Sequence, residues 1–426
     1  MINKLKPKSD FSRNVITLMT GTTIAQSIPI ATSPILTRIY TPEDFGVFAL
    51  FIAITSILAT IANGRYELAI MLPKKDEDAI NIFALGFIIT CIMTIITFAV
   101  ILIFNDYLTN LLVNKEIGFW LYFVPLALFF SGLFNILNYF NNRRKNYKDL
   151  RNTTILKSII LAVVQISVGF MKAGAIGLIS GSLLSNMFAN MKLVRNILKD
   201  KMLLSKIKKV KIITLAKKYK DFPKFSMPAG LLNSSATNLN NTLIPSFFNL
   251  STLGYYSLVD RVLSMPSSLI SSSIGQVFFQ QASSEKKKTG SAHAIFKRTT
   301  IKLILLGFPI FFTLYFVVED IFVIVFGENW SIAGTYAKIL IPLFFVRFIV
   351  SPLTLMNQIY LKNKLVLKWQ AGLMFLYLFC YFLINLYNLN FIEFLRILIL
   401  IISIYYIYYY YLIFQYSKGS NEKTSS

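Results

Sequence analysis

Two arginines stand deep inside apolar stretches of this sequence. Arg261 lies about eight residues into one stretch and Arg347 about fourteen into another. At about 1.5 Å of helical rise per residue, both positions fall within hydrocarbon if these stretches cross a bilayer. An arginine there costs on the order of 3 kcal/mol or more, so it faces protein or water rather than lipid. Its planar guanidinium matches phosphate or carboxylate bidentately. Arg65 and Glu67 occupy the cytoplasmic third of a further stretch, and Arg38 closes the first one on the outer side. Lys157 and Lys338 stand close enough to span ends to snorkel outward. Cations outnumber acids within the stretches, which suits an anionic cargo. Two roles stay open for each arginine: contact with substrate, or structural pairing with Asp260 or Glu67. Asp260 points about 100° away from Arg261 on a helix, so it does not simply cancel its neighbour.

Catalytic chemistry has little support. The single His293 lies in a basic loop and reads as a solvated side chain. There is no HExxH, CxxC, Walker-type phosphate loop or GxSxG. No cofactor is called for, and no coupling ion, H+ or Na+, is legible. Cys91 and Cys380 fall within apolar stretches and read as free thiols.

Two stretches are unusually polar. The seventh carries Asn233, Ser234, Ser235, Thr237, Asn238, Asn240, Asn241 and Thr242; the first carries Thr17, Thr20, Thr22, Thr23, Gln26, Ser27, Thr32 and Ser33. Asn233, Thr237 and Asn240 share one helical face. Buried amides need partners that lipid does not offer. These faces read as the lining of a water-filled cleft; hydrogen bonding between helices is the alternative. Pro29, Pro34, Pro228 and Pro245 are expected to kink the two helices.

The elements that position these residues are membrane spans. Apolar residues make up 55% of the 426 residues, and mean hydropathy is +0.61. Twelve stretches are long enough to cross about 30 Å of hydrocarbon as helices. They run near 14–37, 45–70, 79–104, 117–140, 153–171, 174–194, 224–247, 253–280, 299–318, 333–360, 366–387 and 391–415, the first two being the least apolar. No cleavable signal peptide is evident. The net charge of +24 is topological rather than a sign of nucleic-acid binding. With the N-terminus inside, about 35 of the 43 Lys and Arg fall on the cytoplasmic side and about five outside. Both termini are thus expected in the cytoplasm. The outer loops, longest near 105–116 and 319–332, are too short to fold as catalytic domains. The densest basic run, at 199–224, suits an amphipathic helix on anionic lipid.

The chain also repeats itself. TLIPSFFNLSTLGYYSL at 242–258 echoes PILTRIYTPEDFGVFAL at 34–50, with an offset of about 208 residues. A weaker echo links Pro125-Leu126 with Pro342-Leu343. Six spans precede the basic connector and six follow it, which makes the halves parallel repeats about an axis along the membrane normal. The expected organisation is an all-α integral membrane protein of two six-helix lobes around a central cleft. The N-terminal lobe covers 1–195, the connector 196–223, the C-terminal lobe 224–416 and a disordered tail 417–426.

At these residues the sequence resembles polysaccharide flippases of the multidrug/oligosaccharidyl-lipid/polysaccharide exporter superfamily, the Wzx-type transporters of O-antigen and capsule units. SPILTRIYTPEDFGVFAL with GRYELAIMLP resembles their first helical pair. FPKFSMPAGLLN with LGYYSLVDRVLSMPSSLISSSIGQVFF is similar to their seventh and eighth helices, and VFGENWSIAGTYAKILIPLFFVRFIVSPL to their ninth-to-tenth region. The resemblance covers most of the chain and weakens after about residue 370. It implies a twelve-helix, two-lobed fold around a cationic cavity, and no catalytic residues. Arg38, Glu67 and Arg261 match recurring family positions; Arg65 and Arg347 rest on burial alone. The function implied is movement of a polyprenyl-pyrophosphate-linked oligosaccharide across a bacterial inner membrane. The partners are that lipid-linked substrate, membrane lipids and other polysaccharide assembly proteins. An exporter of small molecules or drugs is the alternative and should carry acids deep in its spans, where Asp260 and Glu67 are the candidates. A polymerase or ligase would need a larger outer loop.

Overall fold

The computed structural model of the chain describes residues 10–112, 115–172 and 174–419. Twelve helices of 18 residues or more account for most of them. They are α1 (Asp10–Ile39), α2 (Pro42–Ala59), α3 (Asp76–Leu111), α4 (Val124–Arg143), α5 (Tyr147–Gly169) and α6 (Ile176–Leu198), then α7 (Met227–Phe247), α8 (Leu250–Thr289), α9 (His293–Phe326), α10 (Ser331–Leu353), α11 (Asn363–Tyr387) and α12 (Phe391–Ser417). Each corresponds to one of the twelve expected spans. Eight meet a strict standard of length and apolarity for crossing a membrane. Among the described residues, α1, α6, α7 and α8 do not meet it. The second helix, expected among the least apolar, is therefore apolar enough, and α6 joins the polar set through its Ser and Asn residues.

Several helix ends differ from expectation. The second span does not run to residue 70. It stops at Ala59; turns follow, Gly64 and Arg65 adopt left-handed backbone (φ 58° and 63°), and a one-turn helix, Tyr66–Ala69, comes next. The fourth span is likewise split into Lys115–Leu121 and α4. Helices α3 and α9 extend beyond their expected ends, so the loops after them are shorter still. Pro228 does not kink α7; it occupies the first turn, where a missing N–H costs nothing. Pro29 and Pro34 in α1 and Pro245 in α7 do lie inside helices. Residues 420–426 of the expected tail lie outside the described residues.

The chain forms two compact units, one up to Gly254 and one from Tyr255 on. In the first, α1 packs on α5, α5 on α6, and α3 on α4, while α7 packs on α2. One core cluster gathers Tyr66, Ile70, Ile80, Phe140, Leu193 and Leu215. In the second, α9 packs on α10, and α12 on both α10 and α11.

The repeat is visible in the turns. Helix α1 ends at Ile39 and α7 at Phe247; α2 begins at Pro42 and α8 at Leu250. Thr41 caps α2 by accepting from Asp44 N, and Asn249 accepts from Thr252 N in the equivalent place. Such caps satisfy donors that a helix start leaves open. After α4, Lys145 is left-handed and Asn146 N donates to Asn141 O; before α11, Leu361 is left-handed and Lys362 N donates to Asn357 O. Asn141 and Asn357 are both buried. Lys172 and Asn388 likewise turn left-handed after α5 and α11. The proline echo is weaker in structure: Pro125 sits in the first turn of α4 and Pro342 in the middle of α10.

Candidate functional site

In the first unit, Arg65 and Glu67 are held by the break after α2. An arginine at φ 63° is strained by roughly 1–2 kcal/mol relative to right-handed backbone. The turn points its guanidinium against α7 at Gly230, where a Cβ would collide with the Nη2, Cζ and Nε atoms. Gly230 is thus part of the site, and nothing in the sequence pattern singled it out. Arg65 Nη1 lies 3.6 Å from Glu67 Oε1, too long for a good charge-assisted hydrogen bond. Glu67 is only 4% exposed, and its Oε2 has no partner among the described residues; neither has the enclosed Nε of Arg65. Tyr139 on α4 lies within electrostatic reach of both. The pair is therefore incomplete. The Arg65 side chain keeps 25% of its surface open, with donor capacity to spare.

Helix α7 continues this surface. Ser234 donates to Ser56 O on α2 at 3.2 Å, and Ala236, Ile244 and Pro245 are buried. Asn233 and Thr237 stand on the exposed side and Asn240 is half-buried. Thr237 Oγ1 turns back to the backbone carbonyls of Asn233 and Ser234. On α1, Gln26 is exposed beside Thr22 and Thr23, while Arg38 in the last turn donates to Pro34 O at 3.2 Å.

In the second unit, Arg347 on α10 is boxed by aromatic rings. Its Nη2 donates to Tyr377 Oη on α11 at 2.9 Å. The guanidinium lies over Tyr406 of α12 at 5.4 Å and Phe344 at 5.6 Å, within cation–π range. The enclosed Nε has no partner among the described residues. Asp260 on α8 lies in electrostatic reach of both Arg347 and Arg261, which fits the pairing role left open for it in the sequence. Asp260, Arg261 and Arg347 are all half-buried. The tyrosines were the missed part of this cluster, although the run IYYIYYYY in α12 was a signal for Tyr406.

Other charges are structural. Lys157 does not snorkel freely; its Nζ sits 4.7 Å from the Phe134 ring centre. Lys338 pairs with Glu319 at 2.5 Å. His293 is not a solvated loop residue: it begins α9, packs on Phe414 at 4.9 Å and bonds the buried Ser417. Among the described residues, no three His, Cys, Asp or Glu side chains converge as a metal site.

Long apolar helices carrying half-buried guanidiniums and polar faces define a multi-pass membrane protein of transporter type. The comparisons agree. Residues 35–334 match the family described as polysaccharide biosynthesis protein, and the chain belongs to that family. It is 24% identical over 336 residues to the succinoglycan biosynthesis transport protein ExoT of Rhizobium meliloti, covering 76% of this chain and 64% of that protein. It is 25% identical over 161 residues to the teichuronic acid biosynthesis protein TuaB of Bacillus subtilis, covering 38% and 33%. The chain thus spans under two thirds of the length of each of these relatives. Among solved structures, the lipid II flippase MurJ in an inward closed conformation superimposes with a TM-score of 0.70 at 14% identity, over 94% of this chain and 90% of that one. An inward-facing multidrug resistance MATE transporter of the MOP superfamily gives 0.64 at 12% identity, over 96% of each chain. The fold is that of these transporters, and none of the proteins named here is described as an enzyme.

Proposed function

We propose that this protein moves a polyprenyl-pyrophosphate-linked oligosaccharide from the inner to the outer leaflet of a bacterial inner membrane by alternating access. The observation that carries this reading is the unused donor capacity of the half-buried arginines. Arg65 and Arg347 each retain an Nε–H with no partner among the described residues, in a chain whose spans hold few acids. A phosphate oxygen would satisfy such a donor, and its charge would offset the cost of the cation. The exposed polar sides of α1 and α7, with Gln26, Asn233 and Thr237, suit sugar hydroxyls, while the polyprenyl tail stays in lipid. Arg261 and Arg38 add positive charge along the path. The relatives named for succinoglycan and teichuronic acid synthesis support a polysaccharide cargo. The test is transfer of a fluorescent polyprenyl-pyrophosphate oligosaccharide between leaflets of proteoliposomes, read by a membrane-impermeant quencher. Transfer no faster than in protein-free liposomes would sink the reading.

A second reading rests on Glu67. A buried carboxylate with an unpaired oxygen is the group a cation exporter needs. Efflux of a cationic dye that Glu67→Gln abolishes, together with no movement of the lipid-linked sugar, would establish that alternative.

A further inference from the structure

The segment between α6 and α7 contains a ten-residue helix, Lys209–Lys218, with two unlike faces. Its inner face is tied to the N-terminal end of α3. Leu215 is buried in the core of the first unit, and Tyr66 Oη donates to Ala216 O at 3.0 Å. Lys211 Nζ pairs with Glu77 at 3.0 Å. Just before the helix, the wholly buried Asn81 of α3 donates to Lys206 O at 3.0 Å and accepts from Lys208 N at 2.8 Å. These ties hold the helix beside the first turn of α3, the most apolar of the spans. That is where a spanning helix leaves hydrocarbon for headgroups.

Among the described residues, nothing covers the outer face. Lys209, Val210, Ile213, Thr214, Lys217 and Lys218 are exposed and follow helical spacing. Val210 is 75% and Ile213 47% exposed, so apolar groups open outward between the lysines. Phe225, 60% exposed, and Lys220 and Lys224 extend the pattern, with Asp221 the one exposed acid among residues 209–225.

We propose that this outer face docks on an anionic lipid leaflet, with Val210 and Ile213 inserted at the headgroup–acyl boundary and the lysines held by lipid phosphates. Apolar side chains interleaved with cations match that boundary. Each lysine near an anionic surface contributes on the order of 1 kcal/mol of attraction, which salt screens. A protein partner would need acids to meet the lysines and a dry pocket for Val210; the bilayer beside α3 supplies both features without a second molecule. The inference does not rest on the identity of the cargo.

The test uses the full chain in nanodiscs, with Cys91 and Cys380 replaced by Ser and a single cysteine at Val210 or Ile213 carrying an environment-sensitive fluorophore. Anionic discs containing phosphatidylglycerol should give blue-shifted emission and loss of iodide quenching relative to phosphatidylcholine discs. High salt, or the K209Q/K217Q/K218Q variant, should reverse both effects. These lysines are exposed and lie outside the Lys211–Glu77 tie, so the variant keeps the helix in place; a label at Thr214 on the same face provides a second reading. Identical emission and quenching in neutral and anionic discs would overturn the proposal. So would a blue shift indifferent to salt and to the lysine substitutions, because the face would then be buried without regard to lipid charge.

Discussion

Gly46 and Gly254 occupy equivalent places in the two repeated turns, and each lies against the other's turn. A Cβ on Gly46 would strike the carbonyl of Leu250, and a Cβ on Gly254 would strike the carbonyl of Pro42. Pro42 and Leu250, the first residues of α2 and α8, are themselves repeat equivalents. The contact is therefore reciprocal: each turn's glycine faces the first residue of the helix that the other turn begins. Only glycine allows backbones this close.

The first expectation concerns this contact. Gly46→Ala and Gly254→Ala each push a methyl group onto a backbone carbonyl, which cannot swing aside like a side-chain tip. Each should destabilise the protein by about 1–3 kcal/mol, and by similar amounts because the environments match. Thermal unfolding in detergent checks this. Wild-type melting for both variants would mean the turns do not approach so closely.

The Arg65–Glu67 pair permits a rescue experiment. Arg65→Ala leaves a carboxylate that is 4% exposed without its cation, and abundance should fall, with a cost of about 3–5 kcal/mol. Adding Glu67→Gln removes the buried charge and should restore abundance. Export should stay low in the double variant if Arg65 also holds cargo. Recovery of both abundance and export would make the pair purely structural.

Arg261 and Arg347 are separable by conservative replacement. Arg261→Ala should abolish glycan export while leaving abundance near normal, and Arg261→Lys should keep part of it, since charge survives without the fork. Arg347→Lys should lose more, because the Tyr377 hydrogen bond and the Tyr406 stacking both depend on the planar guanidinium. Tyr377→Phe isolates the hydrogen bond, worth about 1.5–3 kcal/mol when one partner is charged. Full export from a well-expressed Arg261→Ala protein would remove it from the path.

Cysteine scanning tests the polar face of α7. Asn233→Cys and Thr237→Cys should react quickly with small water-soluble thiol reagents, Asn240→Cys more slowly, and Ala236→Cys scarcely at all, following their exposure. Equal protection at all four positions would place the face against lipid or protein instead of water.

Sidedness can be read at Ser205, which is exposed in the basic connector. Ser205→Cys should be labelled by an impermeant reagent only after the cells are opened. Labelling in intact cells would reverse the cytoplasmic placement of the connector and of both termini.

Much of this architecture was legible in the sequence, because lipid leaves the backbone few choices. A spanning segment must be a helix and must be apolar for about twenty residues, so composition alone located all twelve helices. The repeat was legible too, because a turn between two helices depends on local residues. Thr41 and Asn249 cap their helices, and Gly46 and Gly254 follow each cap at the same distance. What the sequence could not decide was which side chains from distant helices meet. The break that sets Arg65 left-handed against Gly230 depends on α7 packing on α2, and no local pattern announces it. The Asp260–Arg347 relation and the aromatic box of Phe344, Tyr377 and Tyr406 draw on four helices spread over some 150 residues of chain. Apolar composition locates the helices, whereas the partners of a buried charge are set by packing. Only the tertiary structure decided that Arg65 and Arg347 keep an Nε–H without a partner among the described residues.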